Sequence, residues 1–363
     1  MRIELNKLIS QEKKSFYFEY TDVMNNLLEQ IENVYLRIPD YRNDILYRHN
    51  MIKTSISDID IEQDEDTSYI ESLSAICCKK IKNKNQRTAY NLLKLLETGI
   101  LEKQKYLTDE YVIEIWKALI SGNRNVVSIE SGYRKLGVKL GKGGVLATKS
   151  NTVYIAPNAK EVPFLMNKLY SFINNDIINE NSFYNAVLKS IIFSAYFVYV
   201  HPFSDGNGRL SRLLTNKILV DNGLLKYKYV SINQGIIRDK KAYSLELLKI
   251  ERSKNLDLTQ YILFMLNLYY GILERIANPN RKKLDYASLS NREKIMLRCI
   301  QGSSQGVYVK QYKFFWNSIA KEHGYSLIKV KDAEKDLMHL FFLDFIVYDE
   351  RYTLYPGFKY YNK

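Results

Sequence analysis

Residues 201–212 bring together the side chains of this sequence that could handle a phosphate. The run reads His-Pro-Phe-Ser-Asp-Gly-Asn-Gly-Arg-Leu-Ser-Arg. A histidine can act as a general base near neutral pH, since its unperturbed pKa is about 6.5. An aspartate is a hard oxygen ligand suited to a Mg²⁺ ion that also binds phosphates. Arginines bind phosphate oxygens through a planar, forked guanidinium. The run therefore contains a base, a metal ligand and two anion-binding side chains.

Because this run lies between two predicted helices, its backbone could also bind an anion. A helix N-terminus presents N–H groups without a helical partner and the positive end of the helix dipole. Gly206 and Gly208 permit backbone conformations that cradle an anion, with no Cβ in the way. Arg209 and Arg212 lie three residues apart, so both reach the same side of the second helix. Each feature alone is weak evidence, because a histidine at a helix end is often structural and a glycine-rich turn is common. Their convergence predicts a phosphoryl- or nucleotidyl-transfer site.

The elements that must hold this site are mostly helical. Apolar residues recur at helical spacing in six segments: 85–99, 107–122, 162–175, 182–200, 209–223 and 256–276. The segment 182–200 is apolar on most faces, which predicts a buried central helix. Between Gly132 and Pro157 the chain is rich in Gly, Val and Thr, which predicts short strands and turns. We therefore predict a mainly α fold with one β-hairpin, which must serve a local purpose because two strands alone are marginally stable.

The polar stretch 278–290 is predicted to be a connection between domains. After it come three helical segments and an alternating segment, FIVYDERYTLYPG, typical of a hairpin. That order is typical of a winged helix-turn-helix (α+β) domain. We predict a helical N-terminal region, in which 17–39 is a helix packing on the core, followed by the core and the winged-helix domain. Their ranges are 1–84, 85–277 and 286–363.

Composition and charge narrow the class of protein. Apolar residues make up 46% and charged residues 26%, as in ordinary globular proteins. The sequence contains no secretory signal pattern and no apolar run long enough to span a bilayer, so we expect a cytoplasmic protein without a membrane partner. The net charge of +13 favours an anionic partner such as nucleotide, nucleic acid or an acidic protein. Three cysteines exclude a disulfide framework.

At every specified position the run 201–212 resembles the signature of Fic (filamentation induced by cAMP) proteins, HPF-x-[DE]-GNG-R-x-x-R. GYR at 132–134 and NTVYIAPNAKEVPFLMNKL at 151–169 resemble the flap hairpin of the family and the helix after it. KAYSLEL at 241–247 resembles the helix that follows the motif. The resemblance implies a Fic-type helical core with a β-hairpin flap. It also implies transfer of AMP from ATP, with Mg²⁺, to a Ser, Thr or Tyr hydroxyl of a target protein.

The resemblance further implies a role for each residue of the motif. His201 would deprotonate the target hydroxyl, and Asp205 would hold Mg²⁺ between the α- and β-phosphates. Phe203 would point inward and anchor the loop by packing. Phosphate oxygens would be bound by Gly206, Asn207 through its side-chain amide, Gly208, Arg209 at the β-phosphate and Arg212 at the γ-phosphate. Target backbone would add as an extra strand at Thr152, Val153, Tyr154 and Ile155.

Residues 67–72, Thr-Ser-Tyr-Ile-Glu-Ser, resemble the inhibitory pattern of the family, [ST]-x-x-x-E-[GN], with Ser72 in place of Gly or Asn. The resemblance places an inhibitory helix near 67–78, with Thr67 and Glu71 as its pattern residues. It implies that Glu71 pairs with Arg212 and displaces the γ-phosphate, so that the enzyme is autoinhibited. The residues alone also fit a capping box, since Ser68 and Glu71 have the required spacing. One glutamate can serve both purposes.

The sequence leaves several alternatives open. The chain could be a DNA-binding regulator whose Fic domain senses nucleotide, although an intact His201 argues against a pure sensor. The predicted recognition helix mixes basic and acidic residues: Lys329, Lys331, Lys335, Asp332, Glu334 and Asp336. The transferred group could instead be UMP, phosphate or phosphocholine, and removal of AMP fits the same motif. The oligomeric state, a homodimer included, is also open.

Overall fold

The structure is a computed structural model that describes residues 1–39, 44–62, 81–122, 132–141, 152–252, 255–278, 280–303, 306–348 and 359–362. The chain divides into two compact units. One unit comprises Met1–Asp66 with Arg87–Ala277, and the other comprises Thr67–Gln86 with Asn278–Lys363. The run 201–212 belongs to the first unit.

The first unit begins with a hairpin and continues with helices. The hairpin consists of β1 (Arg2–Ile9) and antiparallel β2 (Ser15–Glu19). The elements that follow are α1 (Asp22–Arg37), α2 (Asp44–Glu62), α3 (Lys84–Glu97), α4 (Asp109–Ile120), β3 (Lys139–Gly141), β4 (Thr152–Ile155), α5 (Val162–Asn175), α6 (Ser182–Val200), α7 (Asn207–Asp221), α8 (Ile232–Arg238), α9 (Lys240–Arg252) and α10 (Thr259–Ala277). Helices therefore dominate the described residues of this unit, as the periodicity predicts.

The N-terminal hairpin corrects the prediction of a helical N-terminal region. The segment 17–39 was expected to be one helix, but its first residues belong to β2 and the helix begins at Asp22. Phe16 and Phe18 alternate inward and are fully buried, which is the two-residue period of a strand. The Thr21 side chain then accepts a hydrogen bond from the Met24 N–H and starts α1 as its N-cap.

Helix α6 forms the centre of this unit and has the predicted bounds. The Asn181 side chain caps its start by accepting bonds from the N–H groups of Phe183 and Tyr184. By length and composition α6 is the one described helix that could cross a membrane, yet 89% of its most apolar window is buried within the protein. This burial is what a core helix shows. The helix ends at His201, which directs the chain into the motif loop.

Two short strands occupy the Gly-, Val- and Thr-rich region, as predicted. Strand β3 pairs antiparallel with β4, with Lys139 opposite Ile155 and Leu140 opposite Tyr154. The residues that join the two strands, 142–151, lie outside the described ranges. Strand β4 therefore has a defined partner and leads directly toward α5.

The second unit contains α11 (Arg281–Ser288), α12 (Asn291–Gln301), β5 (Val307–Tyr308), α13 (Val309–His323), α14 (Val330–Phe342), β6 (Ile346–Tyr348) and β7 (Lys359–Asn362). The strands form an antiparallel sheet in the order β5-β7-β6. Helix α11 lies within 278–290, so the predicted connection contains a helix that its polar composition did not indicate. Strand β5 was not predicted, because two residues give no detectable alternation.

Candidate active site

The run from His201 to Gly206 connects the end of α6 with the start of α7. His201 adopts a left-handed conformation (φ 50°, ψ 60°), and its N–H donates to the Phe197 carbonyl at 3.0 Å. Gly206 is the N-cap of α7 and is also left-handed (φ 81°, ψ 9°). A Cβ at Gly206 would lie 3.3 Å from Cγ2 of Ile120. Conformation and space therefore both favour glycine at this helix N-terminus.

Aromatic stacking anchors the loop to α4. The Phe203 side chain is fully buried, and its ring stacks on Trp116 with a centroid distance of 4.5 Å and an interplanar angle of 16°. Trp116 Nε1 also donates a hydrogen bond to the Asp205 carbonyl at 2.9 Å. The predicted inward packing of Phe203 is confirmed. Trp116 holds the loop both by stacking and by this bond.

Asn207 closes the loop with its side chain. Its Oδ1 accepts from the Phe203 N–H at 2.9 Å, and its Nδ2 donates to the Phe203 carbonyl at 2.8 Å. Oδ1 and one N–H of the amide thus bind the loop backbone, and the predicted phosphate contact of Asn207 stays a prediction. A tight loop needs such bonds because its backbone groups have no partners in a helix. Asn207 is the first residue of α7, and its main-chain N–H belongs to the N-terminal donors of that helix.

Asp205 lies over the first turn of α7. Its Oδ1 accepts from the Gly206 N–H at 2.7 Å, and the residue is partly exposed. Among the residues that the structure describes, no cluster of three or more His, Cys, Asp or Glu could by itself hold a metal ion. A single carboxylate fits Mg²⁺, which is commonly bound by one or two carboxylates together with nucleotide phosphates and water.

The two motif arginines, Arg209 and Arg212, are paired with an acid from α2. Arg209 Nε lies 3.0 Å from Asp58 Oδ2. Arg212 donates to Asp58 Oδ1 through Nε at 3.0 Å and through a terminal nitrogen at 2.5 Å. The side chains of all three residues are at most 5% exposed. Asp58 thus places a buried carboxylate where the resemblance puts the β- and γ-phosphates.

This triad of Asp58, Arg209 and Arg212 is electrostatically consistent with an anion site. Two guanidinium groups share one carboxylate, so the formal charge of the triad is positive. Buried charges are stable in proteins only when they are paired and hydrogen-bonded. The carboxylate therefore supplies the negative charge that the arginine pair requires in this structure.

Strand β4 is tied to the end of α6. The hydroxyl of Tyr154 donates to the Tyr199 carbonyl at 2.6 Å, and Tyr154 is buried. The neighbouring Ile155 is 63% exposed. Thr152 and Val153 belong to the same strand. The structure therefore brings the predicted flap strand to within a hydrogen bond of the helix that ends at His201.

Residues 106–219 of this sequence match the Fic/DOC family. The chain carries a Fic/DOC family domain. This Fic domain extends from just before α4 almost to the end of α7, so it contains the loop, the arginines and β4. Asp58 lies outside the matched residues.

Curated proteins with similar sequences are named as adenylyltransferases. The chain is 31% identical over 151 residues to a probable protein adenylyltransferase of Aquifex aeolicus, covering 40% of this chain and 42% of that protein. It is 24% identical over 209 residues to the protein adenylyltransferase Fic of Aedes aegypti, covering 57% of this chain and 38% of that protein. The chain thus spans about two fifths of the length of these relatives.

Solved structures show the same fold. A Fic family protein from Desulfovibrio desulfuricans G20 covers 95% of this chain and 97% of its own, with a TM-score of 0.59 and 21% identity. The Fic-1 protein of C. elegans covers 72% of this chain and 74% of its own, with a TM-score of 0.52 and 14% identity. At these identities the likeness establishes the mainly helical Fic fold.

The structure adds residues to the Fic site that the sequence did not reveal. Trp116, Asp58 and Arg134 were not singled out for a role in the site, although each contacts the motif. Trp116 is one of only two tryptophans, but nothing in its spacing indicates Phe203 as its partner. Thr54 and Asp58 repeat the spacing of a hydroxyl residue and an acid four positions later. That weak signal could have pointed to Asp58.

The predicted inhibitory residues Thr67 and Glu71 lie outside the described residues. The pairing of Glu71 with Arg212 therefore stays a prediction. The structure describes contacts of Arg212 with Asp58.

Proposed function

We propose that this protein is an adenylyltransferase that moves AMP from ATP to a hydroxyl side chain of a target protein. The observation that carries the proposal is the arrangement of the Fic loop. His201 ends α6, while the glycine-capped N-terminus of α7 and two buried arginines follow within the same run. The names of the curated relatives support the same activity.

The proposed reaction uses the loop as follows. His201 accepts the proton of the target hydroxyl, and the hydroxyl oxygen attacks the α-phosphorus of ATP. The bond between the α-phosphorus and the bridging oxygen breaks, and pyrophosphate leaves with that oxygen. The N-terminal N–H groups of α7 stabilise the negative charge of the α-phosphate, because they lie at the positive end of the helix dipole. Arg209 and Arg212 bind the departing pyrophosphate portion.

Asp205 is the residue that would hold Mg²⁺ in this reaction. When bound, Mg²⁺ would neutralise phosphate charge beside the loop. The hydrogen bond from the Gly206 N–H to Asp205 Oδ1 orients this carboxylate over the start of α7. Replacement of Asp205 by Asn should therefore weaken the binding of magnesium nucleotide while leaving the loop bonds of Asn207 intact.

The proposed enzyme is autoinhibited at its arginines. The TSYIES resemblance assigns Glu71 to Arg212, and the described contacts add Asp58, which binds both Arg209 and Arg212. A nucleotide whose β- and γ-phosphates use these arginines must displace the carboxylates that pair with them. Acidic residues from the N-terminal part of the chain would thus compete directly with the triphosphate.

Transfer of label from α-labelled ATP with Mg²⁺ tests the proposal. The proteins compared are the wild type, Glu71→Gly, Asp58→Asn and His201→Ala. Label retained on protein in the Glu71→Gly or Asp58→Asn variant, and lost when His201→Ala is added, supports AMP transfer. Label from γ-labelled ATP instead would indicate phosphate transfer. Absence of protein label in every variant, with ATP binding intact, would favour a nucleotide sensor or another donor.

A DNA-binding role for the second unit is a further candidate, because the order α12-β5-α13-α14-β6-β7 is consistent with the predicted winged helix. Three lysines of the predicted recognition region, Lys329, Lys331 and Lys335, are exposed. Asp336 was expected to dilute this basic surface, but it is buried and bonded to Arg292 and Tyr312. The exposed surface of α14 is therefore more basic than its sequence suggests.

The DNA-binding role is tested by a gel shift across a series of salt concentrations. Duplex DNA bound at low salt, with affinity falling steeply as salt rises, would support phosphate contacts. A Lys331→Glu, Lys335→Glu variant should then lose binding, whereas Lys103→Glu, Lys105→Glu, which makes the same charge change at exposed lysines of the first unit, should keep it. Equal binding by both variants would assign the affinity to the net charge of the whole chain.

A further inference from the structure

Arg134 connects three segments of the Fic domain that are distant in sequence. Its guanidinium donates through Nε to the His201 carbonyl at 2.7 Å, and through its terminal nitrogens to the carbonyls of Pro157 at 2.6 Å and Val200 at 3.2 Å. A fourth bond reaches the Leu136 carbonyl at 3.0 Å. The Arg134 N–H donates to the Pro202 carbonyl at 2.9 Å. Its contacts therefore lie on both sides of the proposed base.

These contacts give a physical reason for a buried cation. Arg134 is only 5% exposed, and burial lowers the pKa of its guanidinium. Its acceptors Val200 and His201 belong to the end of α6, where carbonyls lack helical partners and the helix dipole is negative. A planar group with five N–H donors can satisfy several carbonyls at fixed angles, which a lysine ammonium cannot do.

The same guanidinium also fixes the end of the flap strand. Pro157 lies just beyond β4. A second tie of this strand to α6 is the bond from the Tyr154 hydroxyl to the Tyr199 carbonyl. Arg134 thus binds both Pro157, which follows β4, and the backbone carbonyl of His201 through one planar side chain.

We propose that Arg134 is a positioning residue that sets the register between β4 and His201. The inference rests on the proposed function, in which β4 receives the target backbone and His201 takes the proton of the target hydroxyl. Misplacement of reacting groups by about 1 Å can cost about a hundredfold in rate. Arg134 is not used to bind the nucleotide, so its loss slows transfer without weakening the binding of ATP.

The test compares Arg134→Lys, Tyr154→Phe and Lys135→Ala. Arg134→Lys keeps the charge and loses the fork, Tyr154→Phe removes only the strand tie, and Lys135→Ala changes the exposed neighbour of Arg134. Hydrogen exchange followed by mass spectrometry needs no activity. We expect faster exchange in Arg134→Lys at both 154–157 and 200–203, faster exchange in Tyr154→Phe near 154–157, and no change in Lys135→Ala. Faster exchange in Arg134→Lys confined to 132–136 would overturn the proposal.

Self-labelling with α-labelled ATP, measured in the Glu71→Gly background, supplies the kinetic readout. We expect the maximal labelling rate of Arg134→Lys to fall about tenfold or more, with the half-saturating ATP concentration within about twofold of its parent. Loss of ATP binding in parallel with the rate would assign Arg134 a general structural role. If neither Glu71→Gly nor Asp58→Asn gives label, the adenylyltransferase proposal fails, and the exchange data still decide whether Arg134 couples β4 to His201.

Discussion

Replacement of Asp58 by Asn should tighten nucleotide binding, because Asp58 occupies the two arginines that the proposed function assigns to the triphosphate. Arg212 makes two charge-assisted bonds with this carboxylate. Such bonds contribute about 1.5–3 kcal/mol each, against about 0.5–1.5 kcal/mol for neutral ones. The asparagine variant should thus lose about 2–3 kcal/mol of stabilisation in the unliganded state. If Asp58 leaves the arginines when ATP binds, that difference corresponds to about 30- to 150-fold tighter binding.

Two measurements should report this free energy. Calorimetry or a fluorescent ATP analogue gives the nucleotide affinity, and thermal unfolding with and without magnesium ATP gives stability. Asp58→Asn should be less stable than wild type alone, and ATP should raise its midpoint more than that of wild type. Asp221→Asn is the matched control. This change removes the ion pair between Asp221 Oδ2 and Lys217 Nζ, which are 2.6 Å apart. Both residues lie on α7, the helix that carries Arg209 and Arg212, and the two arginines are left unchanged.

One outcome would refute the competition between Asp58 and nucleotide. If Asp58→Asn binds ATP as weakly as wild type, or more weakly, while its unfolding midpoint falls, then Asp58 orients the arginines and does not block them. An equal gain in affinity in Asp221→Asn would instead point to the general charge of the domain.

Three further predictions concern the loop and the second unit. Gly206→Ala should weaken ATP binding and lower the midpoint of unfolding, since a left-handed Cβ residue costs about 1–2 kcal/mol; wild-type affinity would contradict this. Trp116→Phe keeps an aromatic ring beside Phe203 but removes one hydrogen bond and leaves a cavity, so labelling should slow while stability falls by about 2 kcal/mol or more; an unchanged rate would exclude a role for the bond. Burial would raise the pKa of Glu293, but hydrogen bonds with Ser290 and His339 outweigh it and lower the pKa. The Glu293 carboxylate therefore stabilises the second unit above its ordinary pKa of 4.5, and this stabilisation is lost as pH falls through the lowered value. Glu293→Gln should show a smaller loss of unfolding midpoint between about pH 5 and 3, and a curve parallel to wild type would contradict the assignment.

Much of the fold could be predicted because its signals are local. The bounds of α5 and α6 follow from apolar spacing and from flanking polar residues. The N-terminal hairpin was missed because the strand signal at Phe16 and Phe18 runs directly into the helical pattern of α1. Helix α2 lies within the predicted helical N-terminal region, but its bounds were not predicted. It buries polar residues such as Ser55 and Asp58, so it has no clear apolar face.

The sequence by itself determined the chemical groups of the site, because they lie in one contiguous run. A helix that ends at His201 and another that begins at Asn207 place those groups together wherever the chain folds. Only the tertiary structure decided what those groups contact. Asp58 reaches the arginines from α2, and Arg134 links β4 to His201. Such contacts join residues far apart in the chain, and they depend on how helices pack, which no local spacing encodes.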